Sequence, residues 1–300
     1  MSNKIDGENW LFRKIVLWIA TLLLSVPLFA QKRVSASRED GHETPLLVYG
    51  AAGTVTGCAP LALISHGAGG SEDGYHYLAE FLSQSGFTIV VMGHRESGLA
   101  ALRADIRADG FREGVRALVA DPHAEQARLL DVGAALKWAD AQCKAPFLVL
   151  LGHSMGAETV MLEAGARNMI SVSYPPAGQD RFDAYVALSP EGPGVVFPEH
   201  AWNGIHKPVL VLTGTRDQSL RGGPEARLIP WQDLPGDGVR KCQWMALIDG
   251  ATHMNFAGNG MGASHVEPMV TRTILEFTKG VQAGACKQPA TTDGMILQAK

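Results

Sequence analysis

The chain has 300 residues, 46% hydrophobic and 19% charged, an ordinary globular composition with room for one large domain or two modest ones. Its formal net charge is −4 and it has no Lys/Arg-rich tail. That excludes the basic footprint nucleic acid demands.

The N-terminus carries Arg13 and Lys14, then the apolar run "IVLWIATLLLSVPLFA" ending at Ala30, then polar "QKRVSASRED". A basic start, a short apolar middle and a small residue at the end describe a secretory signal peptide over 1–30. Leu28 is an acceptable residue at the minus-three position. The alternative is an uncleaved anchor, but the run is short for a spanning helix and Pro27 interrupts it. An exported protein follows, periplasmic or secreted, with no stable membrane span after processing. No cysteine precedes Cys58, so this N-terminus has no lipidation site. Residues 31–44 read as a linker. Export also makes the four cysteines candidates for disulfides, with three possible pairings.

From residue 45 short apolar runs alternate with longer amphipathic ones. "LALISH" (61–66), "FTIVVMGH" (87–94), "FLVLLG" (147–152), "AYVALS" (184–189), "PVLVLTG" (208–214) and "CQWMALI" (242–248) predict strands buried on both faces. Helices are predicted over 75–85, 124–142, 155–168 and 266–282. In the second, Ala127, Leu130, Ala134 and Trp138 share one face. This alternation predicts an α/β domain over 45–282, a mostly parallel sheet with helices on both faces. Residues 95–122 read as helices above the sheet and 218–241 as a long loop. The stretch 283–300 reads as a mobile tail.

The chemistry centres on "FLVLLGHSMGAETVM". Ser154 stands between Gly152 and Gly156 where a buried strand turns into a helix, the context a nucleophile elbow requires. Such a turn exposes the Ser154 hydroxyl and aims the Met155 N–H at an oxyanion. A serine needs a base. His253 directly follows the last strand, with His265 and His206 as fallbacks, while His153 reads as packing. The imidazole needs an acid. Asp217 follows the strand "PVLVLTG", and Glu191 is the second choice. The glycine-rich turn of "LALISHGAGG" offers a second oxyanion donor at Ala68, with Gly69 next and His66 structural. A dinucleotide fingerprint fails there, because Glu72 stands at the third glycine position. No H-E-x-x-H or C-x-x-C pairing occurs, so neither metal nor cofactor is expected.

With "HGAGG", "GHSMG", "TRD" and "THMNF" in this order, the chain resembles the α/β-hydrolase superfamily over about 45–282. The likeness is closer to dienelactone-hydrolase-like proteins, bacterial polyester hydrolases and secreted platelet-activating-factor acetylhydrolases. "ISHGAGGSEDGYHYLAEFLSQSGFTIVVMGHR" and "THMNFAG" carry it. The resemblance implies a serine esterase of short- to medium-chain acyl groups acting on a small-molecule ester. The chain departs from relatives whose acid follows the sixth strand, where it has Ser189. It also departs from dienelactone hydrolases proper, which use cysteine. The resemblance further implies the pairs Cys58–Cys143 and Cys242–Cys286 at the edge opposite the active site. Little chain separates "ALSP" from "KPVLV", so no large lid is expected. The cleft would be bordered by 95–122, Trp231, Met254 and Phe256. A peptidase or acyltransferase would share the triad, but a peptidase needs a cap for which no room remains. A non-catalytic binding protein would have lost part of it.

Overall fold

The structure is a computed structural model describing residues 31–53, 57–172, 179–236, 242–287, 289 and 292–300. The segment 1–30, read above as a signal peptide or anchor, lies outside the described residues. Nine described strands form one sheet: β1 (Gln31–Ser37), β2 (Glu43–Tyr49), β3 (Leu61–Ser65), β4 (Thr88–Met92), β5 (Leu148–His153), β6 (Ala184–Leu188), β7 (Val209–Gly214), β8 (Gln243–Ile248) and β9 (Met295–Ala299). Their spatial order is β1-β2-β4-β3-β5-β6-β7-β8-β9. Strands β3 to β8 pair in parallel, while β1, β2 and β9 add antiparallel edges. The described helices are α1 (His76–Gln84), α2 (Leu99–Asp109), α3 (Phe111–Val119), α4 (Pro122–Gln142), α5 (Met155–Ala164), α6 (Ile229–Asp233) and α7 (Ala263–Gln282).

The central strands are apolar on both sides because helices cover both faces. Successive side chains point to opposite faces, so each strand feeds two cores. Leu63, Val90 and Leu150 join Leu129 and Val132 of α4 and Val160 of α5. Their neighbours Ile64, Val91 and Leu151 join Leu78 and Leu82 of α1 and Ile274 and Phe277 of α7. The long helix α4 starts cleanly, with the Asp121 carboxylate accepting from the His123 N–H and Pro122 in the first turn.

The strand order reverses at β3, which lies between β4 and β5. In such sheets a crevice opens at the carboxyl ends of the strands beside the reversal. The structure thus has the α/β-hydrolase fold. All six strands predicted from apolar runs are present, and so are the four main helices and the helical pair in 95–122.

The expected boundaries 45–282 are too narrow, since one compact unit spans Gln31–Lys300. Residues 31–37, read as linker, form β1, and Glu43 and Thr44 begin β2. The tail read as mobile carries β9, in which Met295 and Leu297 are buried and Ile296 and Gln298 exposed. Edge strands have one covered face at most, so their sequences lack the continuous apolar run that marks a central strand. The stretch 218–241, read as a loop, contains a 3-10 turn at Pro224–Leu228 and α6.

Disulfides join Cys58 to Cys143 and Cys242 to Cys286, with Cα atoms 5.6 and 5.4 Å apart. These are the pairs the resemblance implied. Cys58 precedes β3 and Cys242 precedes β8, so both bonds sit at the amino ends of parallel strands. No described helix is long and apolar enough to cross a membrane.

The Cys58–Cys143 bond closes a loop of 85 residues. The Cys58→Ser/Cys143→Ser double variant should therefore lose about 2–4 kcal/mol of stability. Thermal unfolding by circular dichroism would register this as a Tm lower by several degrees. An unchanged Tm would contradict the assigned bond.

Candidate active site

The junction of β5 and α5 is a single residue, Ser154, with φ 56° and ψ −123°. Positive φ is unusual for a side chain this close to its own backbone, and here it lifts the hydroxyl clear of the strand end. The neighbouring glycines are steric requirements. A Cβ on Gly152 would collide with the Gly156 carbonyl, and a Cβ on Gly156 with the Ser65 carbonyl. The Ser154 N–H donates to the Leu188 carbonyl at 3.0 Å, anchoring the turn to β6.

His253 begins a 3-10 turn after β8, capped reciprocally by Thr252 and Asn255. Its Nε2 lies 2.9 Å from Ser154 Oγ and its Nδ1 lies 3.0 Å from Asp217 Oδ1. A carboxylate only accepts, so in the neutral ring Nδ1 carries the proton and Nε2 accepts from Ser154. Asp217 is buried after β7. Thr213 Oγ1 donates to its Oδ2 at 2.9 Å, and Ser189 Oγ also donates there. Ser189 Oγ lies 2.7 Å from His253 Nδ1, so its hydroxyl bridges acid and imidazole.

Arg227 supplies the charge behind the acid. Its Nε is 3.0 Å from Asp217 Oδ1, an ion pair by proximity without hydrogen-bond alignment. Its Nη1 donates to the Ser189 carbonyl at 2.8 Å and its Nη2 to the Gln218 carbonyl at 2.7 Å. Burial alone would push the Asp217 carboxyl up. The His253 hydrogen bond, the Arg227 charge and the Ser189 hydroxyl outweigh it and hold the carboxyl at about 2, below the ordinary 3.8.

His153 is buried beside the elbow and does more than pack. Its Nε2 lies 3.0 Å from the His253 carbonyl and its Nδ1 lies 2.9 Å from the Tyr75 hydroxyl. Burial, then the nearby His253, hold its pKa well below the usual histidine value, so the ring is neutral. The carbonyl can only accept, so Nε2 donates and the Tyr75 O–H donates to Nδ1. Tyr75 in turn accepts the Gly67 N–H at 3.2 Å. Three separate loops are thereby tied together.

The turn after β3 packs tightly on the elbow, where a Cβ on Gly67 would stand 3.2 Å from Ser154 Cβ. Its amides are mostly committed: Gly67 to Tyr75, Gly69 to the Ser97 carbonyl at 2.8 Å, and Gly70 to the Gly67 carbonyl at 3.0 Å. The Ala68 N–H has no partner among the described residues. Met155 opens α5, and N–H groups of a first helical turn lack intrahelical partners. His66 is structural, as expected. Its Nε2 accepts the His94 N–H at 3.0 Å, and burial, then the neighbouring His94 and Arg128, hold its pKa well below the usual value. Fully buried Arg128 supports the same turn, donating to the His66 carbonyl at 2.7 Å and to Ser97 Oγ at 2.8 Å.

The structure brings Ser154, Asp217, His253, Met155 and Ala68 to one rim of the sheet. The second-choice acid, Glu191, instead pairs with Arg227 at 3.2 Å and accepts from the Leu220 N–H. His206 and His265 are exposed elsewhere. A cleft of about 900 Å³ opens above the rim, bordered by part of 95–122 and by Met254, as read from sequence. Trp231 and Phe256 are not in its wall: Phe256 is fully buried in the core and Trp231 packs against the opposite core. Sequence reasoning missed Thr213, Arg227 and Tyr75, and read Ser189 only as a position without the acid. For Ser189 and Thr213 the available signal was placement at the ends of β6 and β7. For Arg227 there was none.

Among solved structures, the chain is similar to Est1E from Butyrivibrio proteoclasticus, at 18% identity and a TM-score of 0.53, covering 82% of this chain and 98% of that one. Est1E with ferulic acid bound is similar at 18% identity and a TM-score of 0.54, covering 81% and 98%. The Pyrococcus furiosus esterase Pf2001 is similar at 16% identity and a TM-score of 0.56, covering 84% and 92%. These likenesses agree with the α/β-hydrolase fold. No protein-family model and no curated protein matches the sequence.

The depressed Asp217 carboxyl makes stability depend on acid. A group whose pKa is lower folded than unfolded stabilises above its unfolded pKa and loses that contribution as pH falls through the folded one. Urea unfolding from about pH 5 to pH 2 should therefore give a steeper loss of stability for the parent than for Asp217→Asn. Parallel curves for the two proteins would contradict the assigned interactions.

Proposed function

We propose that this chain is an exported serine hydrolase of carboxylic esters, working through an acyl-enzyme. The observation that carries the reading is the unbroken chain Ser154 Oγ–His253 Nε2 at 2.9 Å and His253 Nδ1–Asp217 Oδ1 at 3.0 Å. Esterases among the similar structures support ester chemistry for a cleft of this kind. The two disulfides support export, since such bonds persist in oxidising compartments.

In this mechanism Ser154 Oγ attacks the ester carbonyl carbon while His253 Nε2 takes its proton. Asp217 holds the imidazole tautomer and stabilises the imidazolium, with Ser189 and Arg227 fixing the carboxylate. The N–H groups of Met155 and Ala68 receive the oxyanion, each such donor contributing roughly 3–4 kcal/mol in the transition state. His253 then protonates the leaving alcohol. A water molecule, deprotonated by the same nitrogen, attacks the acyl-serine and releases the acid.

Ser154→Ala should lower p-nitrophenyl acetate turnover by at least about 10⁴-fold and abolish labelling by a fluorophosphonate probe. A variant that still turns over at the parental rate would exclude Ser154 as nucleophile. Ser189→Ala acts only through its neighbours, removing a hydrogen bond to a charged group. It should lower kcat about tenfold with KM little changed, as read from steady-state kinetics.

A further inference from the structure

Large apolar side chains left in water are normally scattered singly over a surface. Here Leu99, Phe111 and Met254 are 49%, 73% and 50% exposed, and all three line the cleft containing Ser154 and His253. Their clustering at the rim needs a cause other than the core.

The helical pair α2–α3 supplies most of this wall. Helix α2 buries none of its residues fully: Ala101 and Leu102 pack partly against the core, while Leu99 is left to the cleft. Leu99 and Leu102 are three apart and share one face of α2, while Phe111 and Val115 are four apart and share one face of α3. All four line the cleft. The two helices are also packed directly on each other. A Cβ on Gly114 would stand 2.6 Å from the Asp105 backbone, so α3 lies directly against α2. Leu102 covers Gly69, and the Gly69 N–H is held by the Ser97 carbonyl just before α2. The apolar wall therefore begins at the oxyanion turn.

Elsewhere the cleft lining is polar and carries charges of both signs, Glu72, Asp73 and Arg95. Glu72 and Asp73 line the cleft and both pair with Arg33. The cleft's roughly 900 Å³ lies near the top of the range for sites that enclose a drug-sized ligand. An acetyl group would leave most of it filled with water.

Resting on the ester-hydrolase reading above, we propose that α2–α3 form a subsite for an uncharged apolar chain of the substrate. Leu99, Leu102, Phe111 and Val115 take this chain away from water as the carbonyl settles at Ser154. Each methylene given such cover raises kcat/KM by about fourfold at most. The chain belongs to either the acyl or the alcohol side of the ester, and the same chemistry serves both.

The test is kcat/KM on two series at concentrations where the esters are monomeric. One runs from p-nitrophenyl acetate to decanoate, the other from ethyl to octyl acetate. Both use the parent and Leu99→Ser/Phe111→Ser, whose side chains are exposed enough that the fold should survive. The parent should gain at least about tenfold along one series, and the arm that gains identifies the side of the ester. The double variant should lose most of that gain, with the octanoate-to-acetate or octyl-to-ethyl ratio falling about tenfold. Turnover without gain in either arm, or a gain the double variant keeps, overturns this inference alone. No turnover of any ester overturns the ester-hydrolase reading and this inference with it.

Discussion

Everything at this rim depends on how closely three backbone segments meet at the end of β5. Gly152 and Gly156 leave room for strand and helix to touch, and Gly67 brings the turn after β3 against Ser154. A side chain at any of these points would push apart the strand, the helix and the turn that meet at Ser154. The turn holds Ser154 at φ 56°, a conformation that costs on the order of 1–3 kcal/mol and persists only where surrounding packing imposes it. Tyr75 and Ser189 also have positive φ, at 60° and 56°, and both touch the same group of loops. Half of the six described non-glycine residues with positive φ therefore lie at this site.

The electrostatics follow from that packing. Asp217 is fully enclosed, and an enclosed carboxylate without partners would take up a proton. Four partners prevent this: the His253 ring, the Ser189 and Thr213 hydroxyls, and the Arg227 guanidinium. Arg227 is shared with Glu191, so one cation serves two acids and fixes the loops that carry both. The acid next to the imidazole is Asp217 because Glu191 lies across the guanidinium.

Much of this was legible in the sequence, and the pattern of what was not is physical. Central strands such as Leu61–Ser65 announce themselves because both faces must be apolar. β1 is mostly exposed and β9 half exposed, so "QKRVSAS" and "MILQA" resemble linker and tail. Ser154, Asp217 and His253 were legible because each follows a strand whose end could be located. Arg227 lies inside a Gly- and Pro-rich stretch and gains its place only when that stretch folds back on Ser189. His153 was read as packing, and it is buried, but it also hydrogen-bonds. Its bonds to Tyr75 and to the His253 carbonyl depend on contacts 78 and 100 residues apart, beyond any local pattern.

The two covalent cross-links fasten the sheet at the end remote from Ser154, while the described residues around Ser154 are held by close packing, hydrogen bonds and ion pairs. Cys58–Cys143 grips the feet of β3 and β5, and Cys242–Cys286 grips the foot of β8 and the helix returning from it. The amino ends of these strands are thus joined covalently, whereas at the carboxyl ends Ser154, His253 and Asp217 meet only through noncovalent contacts. A reducing environment would therefore act first on the amino ends of β3 and β8, away from Ser154, His253 and Asp217.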